Sequence, residues 1–268
     1  MSALELFYRE DGNPGGPPAL LVHAFPTSHA LWERQIEALG ERYRLIRPDL
    51  RGFGQSPVPP PPYAMEELAA DVVRLLDRLE IERINYVGIS MGGMIGQLLA
   101  LSHPERLQSL ALCMTTSVVP AETPEGDDPA YSICARLMRA AAERSRRDGL
   151  GPIVEMCIER WFTPDFRSSD WARRVGRIVA ANSVDGYCGG VEALCGFNAT
   201  ERLGDIRMPT LVMPGAIDPS APPRCSEEIA ARIPDARLKV IDGASHIGIV
   251  ERPDACNACL LDHLNRFA

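Results

Sequence analysis

Short apolar runs alternate along the chain with longer stretches in which apolar residues recur every three or four positions. The runs at 19–22, 44–47, 84–87, 107–113, 209–213 and 237–241 read as strands, and that at 19–22 is continuous, as a parallel strand buried on both faces would be. Helical spacing marks 28–39, 65–79, 94–102, 223–233 and 253–266. Residues 4–9 predict an edge strand before a turn at 11–16. This alternation predicts an α/β fold, a mostly parallel twisted sheet flanked by helices, with ligands bound beyond the carboxyl ends of the strands. The rhythm breaks between 119 and 203, where the pattern is helical and broken by prolines, glycines and aromatics. That stretch is too long for a loop and predicts a helical cap inserted into a core of 1–118 and 204–268.

With 268 residues, 46% of them hydrophobic, the chain is long enough for one large core with an insertion. The balance of 28 basic against 36 acidic residues, net −8, excludes nucleic acid as a main partner. Lys239 is the only lysine, and the arginines are interspersed with acids as solvated faces. Residues 1–10 lack a basic segment followed by an apolar one, and no apolar run approaches a membrane span, so a cytoplasmic protein without a membrane partner is expected. The eight cysteines are scattered through the predicted elements and are expected to be reduced core residues. Cys256-x-x-Cys259 falls inside a helical pattern without a second ligand pair, so no metal or other cofactor is expected.

Candidate chemistry enters at Gly88-Ile89-Ser90-Met91-Gly92, between a strand and a helix. In this spacing Gly88 and Gly92 sit where a side chain would crowd a sharp strand-to-helix turn, and Ser90 is pushed out at the strand tip as a candidate nucleophile. The Met91 N–H, at the helix start, points with the helix dipole at any oxyanion formed there. A serine hydroxyl needs a base, and the base needs a group that fixes its tautomer. Among the five histidines, His29 and His103 lie at a helix start and a helix end, His263 lies in the last helix, and His23 ends an early strand. His246, in the loop after the last strand, is the best candidate base. Asp218, in the loop after the preceding strand, is the candidate acid. A second oxyanion donor is expected in the loop after 19–22, as the Phe25 N–H.

With Ser90, Asp218 and His246 in that chain order, the sequence resembles the alpha/beta-hydrolase superfamily over nearly its whole length. His23-Ala24-Phe25-Pro26 is similar to the family's His-Gly-Phe-Pro loop, with alanine for glycine, and Asp49-x-Arg51-Gly52-x-Gly54-x-Ser56 matches its next loop, read as structural. Within the superfamily the chain is most similar to 3-oxoadipate enol-lactonases. The similarity lies in Gly88 to Gln97, Arg160-Trp161-Phe162-Thr163-Pro164, Asp185-Gly186-Tyr187 with Ala193-Leu194, and the closing Ala244-Ser245-His246-Ile247 to Val250-Glu251-Arg252-Pro253. It departs from them at the oxyanion loop, where those lactonases usually carry a Ser-Asn-Ser-Leu-Gly-like segment. The resemblance implies a serine hydrolase that cleaves a small-molecule ester or lactone through an acyl-enzyme. His23, Arg160, Trp161 and Ile247 are expected at the substrate pocket, with Arg136, Arg139 and Arg160 as candidate cations for a carboxylated lactone. The alternatives are a carboxylesterase or perhydrolase, a carbon–carbon bond hydrolase of the same fold, and a ligand-binding protein that retains the residues without turnover.

Overall fold

In the computed structural model, which describes residues 4–122 and 134–267, seven strands form one sheet in the order β1-β3-β2-β4-β5-β6-β7. Strands β2 (Pro18–Val22), β3 (Arg44–Pro48), β4 (Ile84–Ile89), β5 (Leu107–Cys113), β6 (Thr210–Met213) and β7 (Arg237–Leu238) are parallel to their neighbours. Only β1 (Tyr8–Gly12) is antiparallel, against β3. The helices between them are α1 (Glu33–Gly40), α2 (Met65–Arg78), α3 (Met91–Ser102), then α4 (Ala135–Asp148), α5 (Gly151–Trp161), α6 (Asp170–Ala180) and α7 (Val184–Leu194) between β5 and β6, and finally α8 (Pro223–Arg232), α9 (Gly248–Glu251) and α10 (Pro253–Leu264).

The continuous apolar runs become central strands because both faces of the sheet are covered. Successive strand residues point to opposite faces, so Leu20 and Val22 join a core with α2, α3 and α8, while Ala19 and Leu21 join one with α1 and α10. All six residues of β4, flanked by β2 and β5, are buried.

The first strand starts later than its pattern suggests. Residues 8–12 are polar and half exposed, but they pair with β3, and Arg44 and Arg47 hold Glu10 and Asp11 across the pair, both at 2.8 Å. Leu6, ahead of the strand, is buried in the core instead. The last strand is shorter than 237–241, two residues followed by a single bridge from Ile241 to Gly215.

An antiparallel bridge from Val118 to Asn198 joins the two ends of the segment carrying α4–α7. Residues 123–133 of the expected insertion, and the first three of the opening stretch, lie outside the described residues. Six of the eight cysteines are buried and all eight are free. Among the described residues no helix is long and apolar enough to cross a membrane.

Candidate active site

Strand β4 delivers Ser90 to the sheet's carboxyl edge, and α3 begins at the next residue. Ser90 has φ +53° and ψ −116°, a conformation that an L residue adopts only when its surroundings enforce it. They do so from several sides. The Ser90 N–H donates to Cys113 O at 3.0 Å, its carbonyl accepts from Thr115 Oγ1 at 2.7 Å and from the Gly93 and Met94 N–H groups, and Tyr86 Oη donates to Gly92 O at 2.6 Å. A Cβ on Gly88 would collide with the Gly92 carbonyl, and one on Gly92 with the Val22 carbonyl. Glycine is therefore required at both positions by backbone contact, at Gly88 across the turn and at Gly92 against the end of β2.

The loops after β6 and β7 bring the other two groups to this point. His246 Nε2 lies 3.0 Å from Ser90 Oγ, and His246 Nδ1 lies 2.8 Å from Asp218 Oδ2. Asp218 Oδ1 accepts the N–H groups of Ser220 (2.7 Å) and Ala221 (3.0 Å), so both carboxylate oxygens are engaged and the acid cannot turn away. The ionised carboxylate only accepts, which puts a proton on Nδ1 and leaves Nε2 free to accept from the serine hydroxyl. Both side chains are buried, whereas Ser90 is partly exposed.

Met91 is the first residue of α3, so its N–H has no carbonyl one turn back within the helix. Phe25 and Pro26 line the same cavity as Ser90 and His246, and the Phe25 ring lies 5.0 Å from the Tyr187 ring on α7. Phe25, which carries one expected oxyanion donor, thus lines the cavity, whereas Met91, which carries the other, follows Ser90 directly and is fully buried.

That cavity measures about 160 Å³. Away from the hydroxyl and the imidazole its wall is mainly apolar, with Met94 and Val119 from the sheet side, Met138 from α4, Met156 from α5 and Leu194 from α7. Arg160 and Trp161 line it as expected, the Trp161 ring 6.2 Å from the His246 ring. Arg160 donates to Ser220 Oγ at 3.1 Å and to Pro219 O at 3.0 Å. Burial pulls its guanidinium below the usual arginine range, against the pull of the nearby Asp218 carboxylate. Arg136 and Arg139 do not reach the cavity and pair on the surface with Glu122 and Glu192.

Two expected pocket residues lie elsewhere. His23 is fully buried behind the oxyanion loop, where its Nε2 accepts the Leu50 N–H at 3.0 Å and its Nδ1 donates to Ala24 O at 2.9 Å. Burial lowers its pKa, so it is a neutral strut between two loops rather than a lining group. Ile247 is also fully buried, beneath Trp161, with its N–H donating to the Trp161 carbonyl at 3.3 Å. The 49–56 loop is held by Asp49, whose carboxylate accepts His29 N–H, His29 Nδ1–H and Gln55 N–H. Burial alone would raise its pKa, but these bonds hold it below the ordinary carboxylate range.

The family model for the alpha/beta hydrolase fold matches residues 17–253. The chain belongs to the alpha/beta hydrolase fold family. It is 33% identical to 3-oxoadipate enol-lactonase 2 of Acinetobacter baylyi, over 98% of this chain and 94% of that one. Among solved structures it resembles the enol-lactonase from Burkholderia xenovorans, with TM-score 0.90, 31% identity and 98% of each chain covered. It also resembles a thermophilic esterase from Thermogutta terrifontis, with TM-score 0.89, 31% identity, and 98% of this chain and 94% of that one covered.

Within this alpha/beta hydrolase, sequence reasoning missed Thr115, which holds the Ser90 carbonyl, and Glu251, a buried carboxylate beside the His246 loop. Thr115 lies two residues past the buried end of β5, and its place next to the elbow comes only from strand pairing. For Glu251 a signal existed, an acid five residues after the candidate base in an otherwise apolar stretch, Ile247-Gly248-Ile249-Val250.

Proposed function

We propose that this ester-bond hydrolase works through an acyl-enzyme on Ser90 and that its substrate is a small lactone or ester. His246 Nε2 takes the Ser90 proton as Oγ attacks the carbonyl carbon, and the Phe25 and Met91 N–H groups hold the tetrahedral oxyanion. Collapse of the intermediate breaks the carbon–oxygen ester bond, and His246 returns the proton to the departing alkoxide. In a lactone that alcohol stays tethered to the acyl group. Water, deprotonated by the same imidazole, then releases the acid and restores the serine. Asp218 keeps the Nδ1 proton in place and stabilises the imidazolium throughout.

The observation that carries this reading is the unbroken chain of bonds from Ser90 through His246 to Asp218, at 3.0 and 2.8 Å, opening into a mainly apolar cavity. Helices α4, α5 and α7 act as a cap that forms much of the cavity wall. A cavity of about 160 Å³ is close to the roughly 150 Å³ that accommodates benzene in an engineered core, so it has room for a lactone ring or a short acyl chain. A small enol-lactone fits that size, the enol-lactonase relatives favour it, and Arg160 supplies a cation for an attached carboxylate. A neutral short-chain ester is the second reading, favoured by the apolar wall.

A fluorophosphonate is expected to add one label, at Ser90, and Ser90→Ala to lower ester turnover by on the order of 10⁶-fold. A label elsewhere, or turnover that survives in Ser90→Ala, would sink the acyl-enzyme. Turnover of enol-lactone against p-nitrophenyl acetate, each measured across a salt series, separates the two substrates, since only the anionic one loses rate as salt screens Arg160.

A further inference from the structure

Glu251 ends the short helix α9, five residues past the base, and it is 3% exposed. A carboxylate so buried is costly unless its oxygens are satisfied. Here they are satisfied from two segments far apart in the chain. Oε2 accepts the Ser245 N–H at 2.8 Å, immediately before His246. Oε1 accepts the Thr163 N–H at 3.0 Å and the Thr163 hydroxyl at 2.5 Å, two residues past Trp161, which lines the cavity with Arg160. A second link runs beside it, from the Ile247 N–H to the Trp161 carbonyl.

We propose that Glu251 is a positioning residue that clamps the His246 loop to the end of α5, so that the base and the cavity wall keep one geometry. The inference rests on the acyl-enzyme reading above. Only a carboxylate meets the demand, because Ser245 N–H and Thr163 N–H are both donors and each needs an acceptor. Glutamine has the same shape but one amide nitrogen, which would face one N–H with another. The clamp acts on His246 through backbone: a shift of Ser245 moves the next residue and with it the Nε2 that must meet Ser90 Oγ. Thr163 sets how far the cap can move away from the base.

The test uses Glu251→Gln, Thr163→Val and Thr163→Ser in the full-length protein, with two readouts, turnover of p-nitrophenyl acetate and the rate of fluorophosphonate labelling at Ser90. Glu251→Gln is expected to lower kcat and the labelling rate about 10- to 100-fold with KM nearly unchanged, the scale that a misplacement of about an ångström produces. Thr163→Val, which keeps the Ser245 contact, is expected to lower both by a smaller factor, and Thr163→Ser, which keeps the hydroxyl, to recover them. A folded Glu251→Gln with wild-type kcat and labelling rate overturns the clamp, as does a rise in KM alone, which would make Glu251 a shaper of the pocket. Should Glu251→Gln not fold, the threonine pair decides, since equal labelling of Thr163→Val and wild type overturns the coupling. A wild-type protein that does not label at Ser90 overturns the acyl-enzyme reading itself.

Discussion

In the turn from β4 into α3, room for one hydroxyl is made by removing side chains, and in α4, α5 and α7 the wall of the same cavity is made by supplying them. At the turn, Gly88 and Gly92 are held by carbonyls on both sides, and any Cβ there meets backbone. In the inserted helices the cavity is met by Met138, Met156 and Leu194, apolar side chains from three helices, beside Arg160, Trp161 and Tyr187, with other arginines paired to acids on the outer surface. Backbone cannot be substituted and barely yields, whereas methionine adapts to many shapes. On the proposed acyl-enzyme reading the difference separates two tasks, with the reacting atoms placed by the rigid region and substrate shape read by the adaptable one.

The same substitution made in both regions breaks the comparison most directly. Gly92→Ala drives a Cβ into the Val22 carbonyl, at the strand end that leads to the Phe25 loop. It is expected to lower kcat about 100-fold, as misplaced reacting groups do, and to cost about 1–3 kcal/mol of stability, as overpacking does. Gly151→Ala, at the start of α5 with open space around it, is expected to leave kcat alone and to add up to about 1 kcal/mol through helix propensity. Denaturant unfolding and steady-state kinetics on the two proteins measure both. Similar losses in the two would show that the regions do not differ in rigidity.

Acid sensitivity divides the regions next. The stretch 119–203 contains no histidine, whereas the sheet and its flanking helices bury His23 and His263, and burial holds the His263 imidazole down at about 4. With the folded pKa below the unfolded value of about 6.5, both states are neutral above pH 6.5. Between pH 6.5 and 4 the unfolded chain binds a proton that the folded one does not. Stability therefore falls on acidification through that window, by up to about 3 kcal/mol for His263 alone, with His23 adding a loss of the same sign. Unfolding at pH 7 and pH 4.5 is expected to show a smaller loss in His263→Phe than in wild type. An equal loss would assign the acid sensitivity to other groups.

The smallest effect belongs to the wall. Met138→Ala removes apolar contact from the cavity without touching the turn and is expected to lower kcat/KM for butyrate esters relative to acetate about 3- to 10-fold, at about 0.8 kcal/mol per buried methylene lost. Fluorophosphonate labelling at Ser90 should keep its rate. A slower label would mean that the wall also positions the reacting groups.

Much of the fold is legible along the chain. The runs at β2, β3, β4, β5 and β6 match their strands to within two residues, because a strand covered on both faces is mainly apolar, even where a buried Arg47, Asn85 or Ser109 interrupts it. The edges are less legible. At β1 the backbone pairing with β3 is joined by Glu10 and Asp11 reaching arginines on β3, partners that no local pattern announces. The candidate site divides in the same way. Ser90 is nominated by glycine spacing, and Asp218 and His246 by position after strands, but their separations of 2.8 and 3.0 Å are set by loops whose course depends on the whole sheet.

By itself, then, the sequence determines whatever depends on near neighbours in the chain, such as the burial of the central strands, the steric need for Gly88 against the Gly92 carbonyl, and the order in which serine, aspartate and histidine arrive at the sheet's carboxyl edge. Tertiary structure alone decides which of three candidate arginines lines the cavity, that His23 is a neutral strut rather than a pocket residue, and that Glu251 reaches a threonine 88 residues away. The reason is geometric. Backbone sterics act over four or five residues, whereas a side chain's partners are whatever packing brings within about 3 Å, and packing is a property of the folded chain as a whole.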